Sequence, residues 1–318
     1  MDTERLKKRL WLGLLLGLVV IVGFGLWGDV RELGESFSEF HPGYLALMLL
    51  FTFMGYVLRF VKWELYVRSL GIHLSLGQSS MIFLSGMSMA ITPGKAGEVL
   101  KSFLLKRMKR VEIARSAPIV LAERTTDLLA MAVLASIGIS RFSNGSYLLV
   151  GTFLFFLILV LLIQSRRLTL QLLGYIKKVS LLKRVGEKLE VFYESSYQLF
   201  HWRILIFTTV ISLVSWFLEC VSLYWVFQGL DIGLPLLEAI YVFSFSSIAG
   251  AVSMLPGGLG VAESSMVGLL MGLGTEKTSA VAATLLARFG TLWFGVLLGM
   301  ITLLAFSRKL FRAEESKS

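Results

Sequence analysis

Apolar and polar positions segregate along this chain in blocks rather than alternating residue by residue. Apolar runs near 20 residues recur through the whole length, and such a run is what an α-helix needs to cross roughly 30 Å of hydrocarbon. Runs over residues 10–27, 44–60, 113–139, 147–163, 204–227 and 279–306 predict six full spans. Two further runs, 74–91 and 236–255, stop at the breaks Pro93-Gly94 and Pro256-Gly257-Gly258, and shorter apolar stretches follow at 97–105 and 259–273. Residues 165–200 differ again. Leu168, Leu172, Ile176, Val179, Leu182, Val185, Leu189 and Phe192 recur every three or four positions among seven lysines and arginines, the pattern of an amphipathic helix lying on a membrane surface.

Composition narrows the class. Hydrophobic residues are 56% and charged residues 16% of the chain, against about 25% charged in an average soluble domain. The alternating segments of an outer-membrane barrel are absent. A net charge of +10 would suggest nucleic acid in a soluble chain, but here the basic residues sit in short loops beside apolar runs, where they set topology and meet anionic lipid. No nucleic-acid partner and no cofactor are expected. The three histidines form no metal-ligand spacing, and no phosphate-binding glycine loop is present.

Loop charges then fix the expected path. Arg5, Lys7, Lys8 and Arg9 precede the first run, and Asp29, Glu32, Glu35 and Glu39 follow it, so the N-terminus lies inside. Were residues 74–91 a full span, Lys95, Lys101, Lys106, Arg107, Lys109 and Arg110 would all lie outside. A re-entrant hairpin turning at Pro93-Gly94 keeps them inside, and a second hairpin at Pro256 must enter from the opposite face for Arg308, Lys309 and Arg312 to end inside. The expected fold is an all-α polytopic protein of the cell (inner, cytoplasmic) membrane, with inverted repeats, about six full spans and two re-entrant hairpins, and both termini cytoplasmic. Repeat one covers about residues 44–164, an amphipathic cytoplasmic connector 165–202, and repeat two about 203–307. An eight-span path is the alternative.

The chemistry gathers at the breaks. Pro93-Gly94-Lys95-Ala96-Gly97-Glu98 is followed downstream by Arg124. Pro256-Gly257-Gly258-Leu259-Gly260-Val261-Ala262-Glu263 is followed by Arg288, and the spacing from glutamate to arginine is nearly the same in both. Ionised groups cost roughly 2.5–3.5 kcal/mol each at the centre of a membrane helix, so they persist where they pair or face a polar cavity. Arg124 and Asp127 share a helical face and can pair, with Glu123 beside them. Arg288 has no acidic residue within a turn; Glu263, Glu98 or a substrate phosphate could meet it, and arginine's planar fork suits phosphate. A half-helix starting after either break aims its NH groups at an anion, and Lys95 adds a full charge. The candidate substrate-binding residues are therefore Arg124, Arg288, Lys95, Glu98, Asp127, Glu263, Gly257 and Gly258, supported by Glu123, Pro93, Gly97, Pro256 and Gly260. The plainer reading is a set of salt bridges and packing kinks. Gly13 and Gly17, and likewise Gly295 and Gly299, read as close helix packing.

At these motifs the sequence resembles the flippase-like transmembrane family named after the membrane region of lysylphosphatidylglycerol synthase. The likeness rests on Pro93 to Glu98, on Glu123-Arg124-Thr125-Thr126-Asp127, on Pro256 through Glu263, and on Arg288 ahead of Trp293. It implies an integral membrane protein that translocates lipid, in some members aminoacylated phosphatidylglycerol, in others linked to glycolipid or polyprenyl-linked sugar pathways. A soluble aminoacyl-transfer domain, and with it lysyl transfer, is not expected. A tyrosine often precedes the final arginine in the family pattern, where this chain has Ala287. The expected function is a flippase for an anionic lipid head group, with a midplane site; the alternatives are an intramembrane lipid-modifying transferase, or a non-transporting scaffold of a lipid-synthesis complex. Expected partners are membrane lipids, inner-leaflet anionic lipid through residues 165–200, and a second copy or a lipid-synthesis enzyme.

Overall fold

The computed structural model describes residues 3–92, 99–137, 145–166, 169–171, 174 and 183–306, and all regular structure among them is helical. In chain order the helices are α1 (Thr3–Trp27), α2 (Val30–Glu39), α3 (Pro42–Ser69), α4 (Leu76–Met87), α5 (Leu100–Lys109), α6 (Ile113–Ile137), α7 (Gly145–Gln164), α8 (Lys183–Leu199), α9 (Trp202–Gly229), α10 (Leu236–Val252), α11 (Val261–Gly272), α12 (Lys277–Arg288) and α13 (Phe294–Ala305). A 3₁₀ turn, Pro256–Gly258, lies between α10 and α11, and a π-helical turn, Phe289–Trp293, joins α12 to α13.

Three stretches among the described residues are long and apolar enough to cross a membrane by length and composition: α3, α9 and the continuous run Lys277–Ala305. The 28 residues of α3 and of α9 rise about 42 Å each, more than the hydrocarbon core. Trp11–Trp27 reaches the same standard only together with α2, across a 99° bend. The acidic stretch after residue 27, expected as a loop, is thus a helix. Asp29 starts it, its carboxylate accepting from the Arg31 and Glu32 NH groups at 3.0 and 3.4 Å. α6 coincides with the predicted run 113–139 but carries four charged side chains. The paired helices flanking the breaks are short. α4 and α5 have 12 and 10 residues, α10 and α11 have 17 and 12, so none rises the full ~30 Å alone.

A constant sequence offset, that from His41 to His201, links the two long helices. Each helix directly follows one of these histidines. Each ends in the same way: Leu70 NH returns to Tyr66 O and Ile72 NH to Val67 O, as Leu230 NH does to Val226 O and Ile232 NH to Phe227 O. Gly71 and Asp231 both take positive φ, 68° and 52°, at the turn between. This left-handed cap satisfies carbonyls that the helix end would leave bare.

α3 and α9 cross antiparallel. Tyr44 stacks on Trp225 near one end, and Lys62 reaches Ser212 near the other. Ser215 Oγ donates to Gly55 O at 3.0 Å, where the missing side chain lets the backbones close. Further packing crosses over in a matched way: α4 lies against α13, and α10 against α6. The glycines expected to serve packing do so. A Cβ on Gly17 would strike the Trp293 ring, and one on Gly299 the backbone of Ser88.

The apolar core has two main parts. One gathers the ends of α3, α4, α5 and the first half of α6 around Tyr66, Leu104 and Ile119; the other gathers α9 to α12 and the second half of α6 around Phe227, Tyr241 and Ala130. The charged stretch Glu123 to Asp127 falls between them. α8 buries Tyr193 and Leu199 toward α6 and α7, with Tyr193 Oη donating to Ile163 O at 2.8 Å, while Val185 and Leu189 stay exposed.

Candidate functional site

The second break is built by its glycines. Gly257, Gly258 and Gly260 hold φ of 60°, 67° and 85°, a region L side chains rarely adopt, and a Cβ on Gly258 would stand 2.9 Å from the Gly250 Cα. The chain therefore turns between α10 and α11 against its own backbone. α11 opens with Glu263 reaching back: its Oε2 accepts from the Gly260 NH at 2.6 Å, the third-residue half of a capping box. Its Oε1 accepts from Arg288 Nε at 2.5 Å, and Arg288 Nη2 donates to the Gly257 carbonyl at 2.7 Å. One guanidinium thus ties both sides of the break to the end of α12. Glu263 is buried and the Arg288 side chain is 14% exposed.

Arg288 is followed at once by the π-helical turn, a form that recurs at functional sites because it redirects backbone groups. Here Tyr56 Oη donates to the Thr291 carbonyl at 2.8 Å. Tyr56 also lies under the Arg59 guanidinium, 5.8 Å from the ring centroid, with Trp216 at 4.3 Å from the same guanidinium. Arg59 Nη2 meets Glu219 Oε1 at 2.5 Å. One turn on, the fully buried Lys62 Nζ contacts Asp127 Oδ1 at 2.5 Å, Ser212 Oγ at 2.7 Å and Thr126 Oγ1 at 3.4 Å, and Ser212 Oγ donates to Asp127 at 3.0 Å. Lys101 pairs with Glu123 and lies 4.8 Å from the Trp63 ring centroid. A seam of buried, mutually paired charges therefore runs through the interior from α5 to α9.

Several sequence expectations change here. The second run ends near residue 60 in the sequence reading, yet α3 continues to Ser69, so Lys62 is an interior residue and not a loop cation. Asp127, which the sequence allowed to pair with Arg124, meets Lys62; Arg124 is half-buried on α6 and within electrostatic reach of Asp127. Lys101 is buried and leaves the expected inner cluster. Glu263, one of three partners considered for Arg288, is the one found. Pro256, Gly257, Gly258, Gly260, Glu263 and Arg288 come together as one constellation, while Glu123, Arg124 and Asp127 belong to the α6 seam. Pro93, Lys95, Gly97 and Glu98 lie outside the described residues. Ile91, just before them, is described, and its Cα stands 3.5 Å from where a Gly257 Cβ would be, inside a small cluster with Leu259, Leu292 and Val296. The chain entering the first break thus approaches the second. Arg59, Lys62 and Tyr56 were missed; the signal available was that nothing between Gly55 and Gly71 stops the helix.

Known proteins resemble this chain along most of its length. A UPF0104 membrane protein of Methanothermobacter thermautotrophicus is 24% identical over 304 residues, covering 88% of this chain and 88% of the relative. A UPF0104 membrane protein of Pyrococcus horikoshii is 22% identical over 333 residues, covering 94% and 98%. The likeness to a phosphatidylglycerol lysyltransferase of Staphylococcus epidermidis is local, 27% over 96 residues, 30% of this chain and 11% of that protein. The family described as lysylphosphatidylglycerol synthase TM region matches residues 12–299, from α1 through the first half of α13 and across both breaks. This chain is an integral membrane protein and belongs to that family.

Proposed function

We propose that this protein is a lipid flippase, which moves an anionic head group of phospholipid or polyprenyl-linked glycolipid type across the cell membrane through a site near the midplane. The observation that carries this reading is Arg288, held at a helix break by Glu263 and the Gly257 carbonyl, with its side chain 14% exposed. A phosphate offers arginine the same paired oxygens as a carboxylate. An arriving head group takes the place of the Glu263 Oε1 contact, and Glu263 keeps its second anchor on the Gly260 NH. The first NH groups of α11 add their dipole. The acyl chains remain in lipid.

The same reading takes the chain as two inverted repeats with both termini cytoplasmic. The constant sequence offset, the antiparallel crossing of α3 and α9, and the matched contacts α4 with α13 and α10 with α6 support it. The basic residues Lys183, Arg184 and Lys188 beside exposed Val185 and Leu189 suit α8 to the anionic inner leaflet. A second copy or a lipid-synthesis enzyme is a further partner in this reading.

Reconstitution into liposomes with head-group-labelled phosphatidylglycerol tests it. Arg288→Ala is expected to slow transbilayer movement at least tenfold, with Arg288→Lys intermediate because it keeps charge and loses the fork. A folded Arg288→Ala protein that transports at the unchanged rate overturns the site.

A further inference from the structure

α1 is sparsely packed, and between it and α11 runs an apolar groove of about 420 Å³, walled by Val20, Phe24 and Trp27 on one side and Val267 and Met271 on the other. Two glycines deepen it. A Cβ on Gly23 of α1 or on Gly268 of α11 would meet nothing within 4 Å, so both walls open where side chains are missing. Seven steps along each helix, from 20 to 27 and from 264 to 271, give a length of about 10 Å, two-thirds of the roughly 15 Å of hydrocarbon in one leaflet. The inner end reaches Ser264, beside Glu263, and Val20 packs on the same cluster as Leu259. At the other end the exposed Lys277 ammonium lies 4.4 Å from the Trp27 ring centroid. Tryptophan and lysine together are common anchors at a membrane–water interface.

We propose that this groove seats one acyl chain of an anionic phospholipid whose head group meets Lys277 beside Trp27. The volume suits a single chain of ligand size and not a helix. The cation at the mouth selects the charge of the head group, and the glycines supply the depth that a flat helix face lacks. The seat stands on its own geometry: a protein that never moved lipid across the bilayer would still hold this one.

The test uses the full chain in nanodiscs containing phosphatidylglycerol with a photoactivatable diazirine in one acyl chain, and the matching phosphatidylcholine as the neutral probe. Label from phosphatidylglycerol is expected on the α1 and α11 peptides, at least fivefold above phosphatidylcholine. Gly268→Leu is expected to cut it at least fivefold while holding or raising the melting temperature, because leucine favours a helix interior over glycine and the space is open. Gly23→Leu, on the opposite wall, does the same if Gly268→Leu fails to fold. Lys277→Glu is expected to erase the preference for phosphatidylglycerol, and Arg288→Ala to leave groove labelling intact, so loss of transport and loss of the seat are separable. Unchanged labelling in a folded groove-filling variant, equal labelling by both lipids in the wild type, or cross-links to a second copy of the chain across α1 and α11 would each overturn the proposal.

Discussion

Arg59 and Glu219 occupy the same position on two different helices: Arg59 stands as far beyond Pro42 as Glu219 stands beyond Trp202, and their side chains meet at 2.5 Å. The neighbours repeat the relationship. Gly55 and Ser215, matched by the same offset, touch; Tyr56 and Trp216, next along each helix, both lie under the Arg59 guanidinium. Thr52 pairs with Ser222 and Lys62 with Ser212, which are the same two positions exchanged. A contact in which i meets j and j meets i is the signature of a two-fold axis. On such an axis identical side chains would face themselves, so a charge there repels its own image. Arginine on one helix and glutamate on the other turn that repulsion into a pair.

This equivalence predicts an asymmetric mutational result. Arg59→Leu takes the guanidinium away from the buried Glu219, and breaking a buried pair from one side costs about 3–5 kcal/mol. Glu219→Leu does the converse. The exchange Arg59→Glu with Glu219→Arg should recover most of that loss, since an arginine at 219 still finds Tyr56 and Trp216 nearby. Melting temperatures in detergent decide it: an exchange variant no more stable than the worse single variant removes the two-fold relationship.

The Lys62–Asp127 pair separates structure from function. Asp127→Ala should destabilise the protein by about 3–5 kcal/mol, because Lys62 is then held only by Ser212 and Thr126. Lys62→Met combined with Asp127→Leu removes both charges and should restore stability to within about 1–2 kcal/mol of the wild type, as apolar replacements of buried pairs often do. If the polar seam lines the head-group path, this stable double variant transports poorly. Full transport by the double variant would make the pair purely structural.

Sequence reasoning reached the breaks, Arg288, the glycine contacts and most helix positions because each leaves a local mark: a proline, a run of glycines, a period of apolar residues. It missed the partners within the α6 seam. Lys62 read as the inner flank of a span because a lysine beside tryptophan looks the same at an interface and in a buried seam, and Arg59 was passed over inside the run 44–60; only α9 lying alongside shows what each meets. The pairing of Lys101 with Glu123 across α5 and α6 likewise depends on tertiary approach, as does the meeting of Ile91 with Gly257. α2 was hidden for a different reason. Its polar, acidic sequence carries no apolar run, and its helix is started by the Asp29 cap, a signal of one residue.

The glycines of the second break should not tolerate alanine equally. Gly260 has φ of 85° and ψ of −52° but open space around a Cβ, so Gly260→Ala carries the cost of a strained backbone alone, about 1–3 kcal/mol. Gly258→Ala carries that cost and a Cβ placed 2.9 Å from the Gly250 Cα, so α10 must give way. The expected order of melting temperature is wild type, then Gly260→Ala, then Gly258→Ala. Because the break positions Glu263 against Arg288, Gly258→Ala should also lower transport. Equal stability of the two variants would mean that the close approach to Gly250 is not a constraint.

The path of the chain is open to a direct test, since the sequence has one cysteine, Cys220, and it is buried. In a Cys220→Ala background, single cysteines at His73, Lys109, Gly233 and Glu276 all fall on exposed loop or helix-end positions. If α4 and α5 form a hairpin, His73 and Lys109 share one face; if α10 and α11 do, Gly233 and Glu276 share the other. The physical reason is the charge at the end of α5, where Lys106, Arg107 and Lys109 stand in the last turn and Arg110 caps it, because a basic cluster of this size favours the cytoplasmic side. In intact cells a membrane-impermeant maleimide should therefore label Gly233→Cys and Glu276→Cys and spare His73→Cys and Lys109→Cys until the cells are opened. Labelling of Lys109→Cys from outside with His73→Cys protected would mean that α4 and α5 together cross the bilayer, and the inverted-repeat reading would have to be abandoned for the eight-span path.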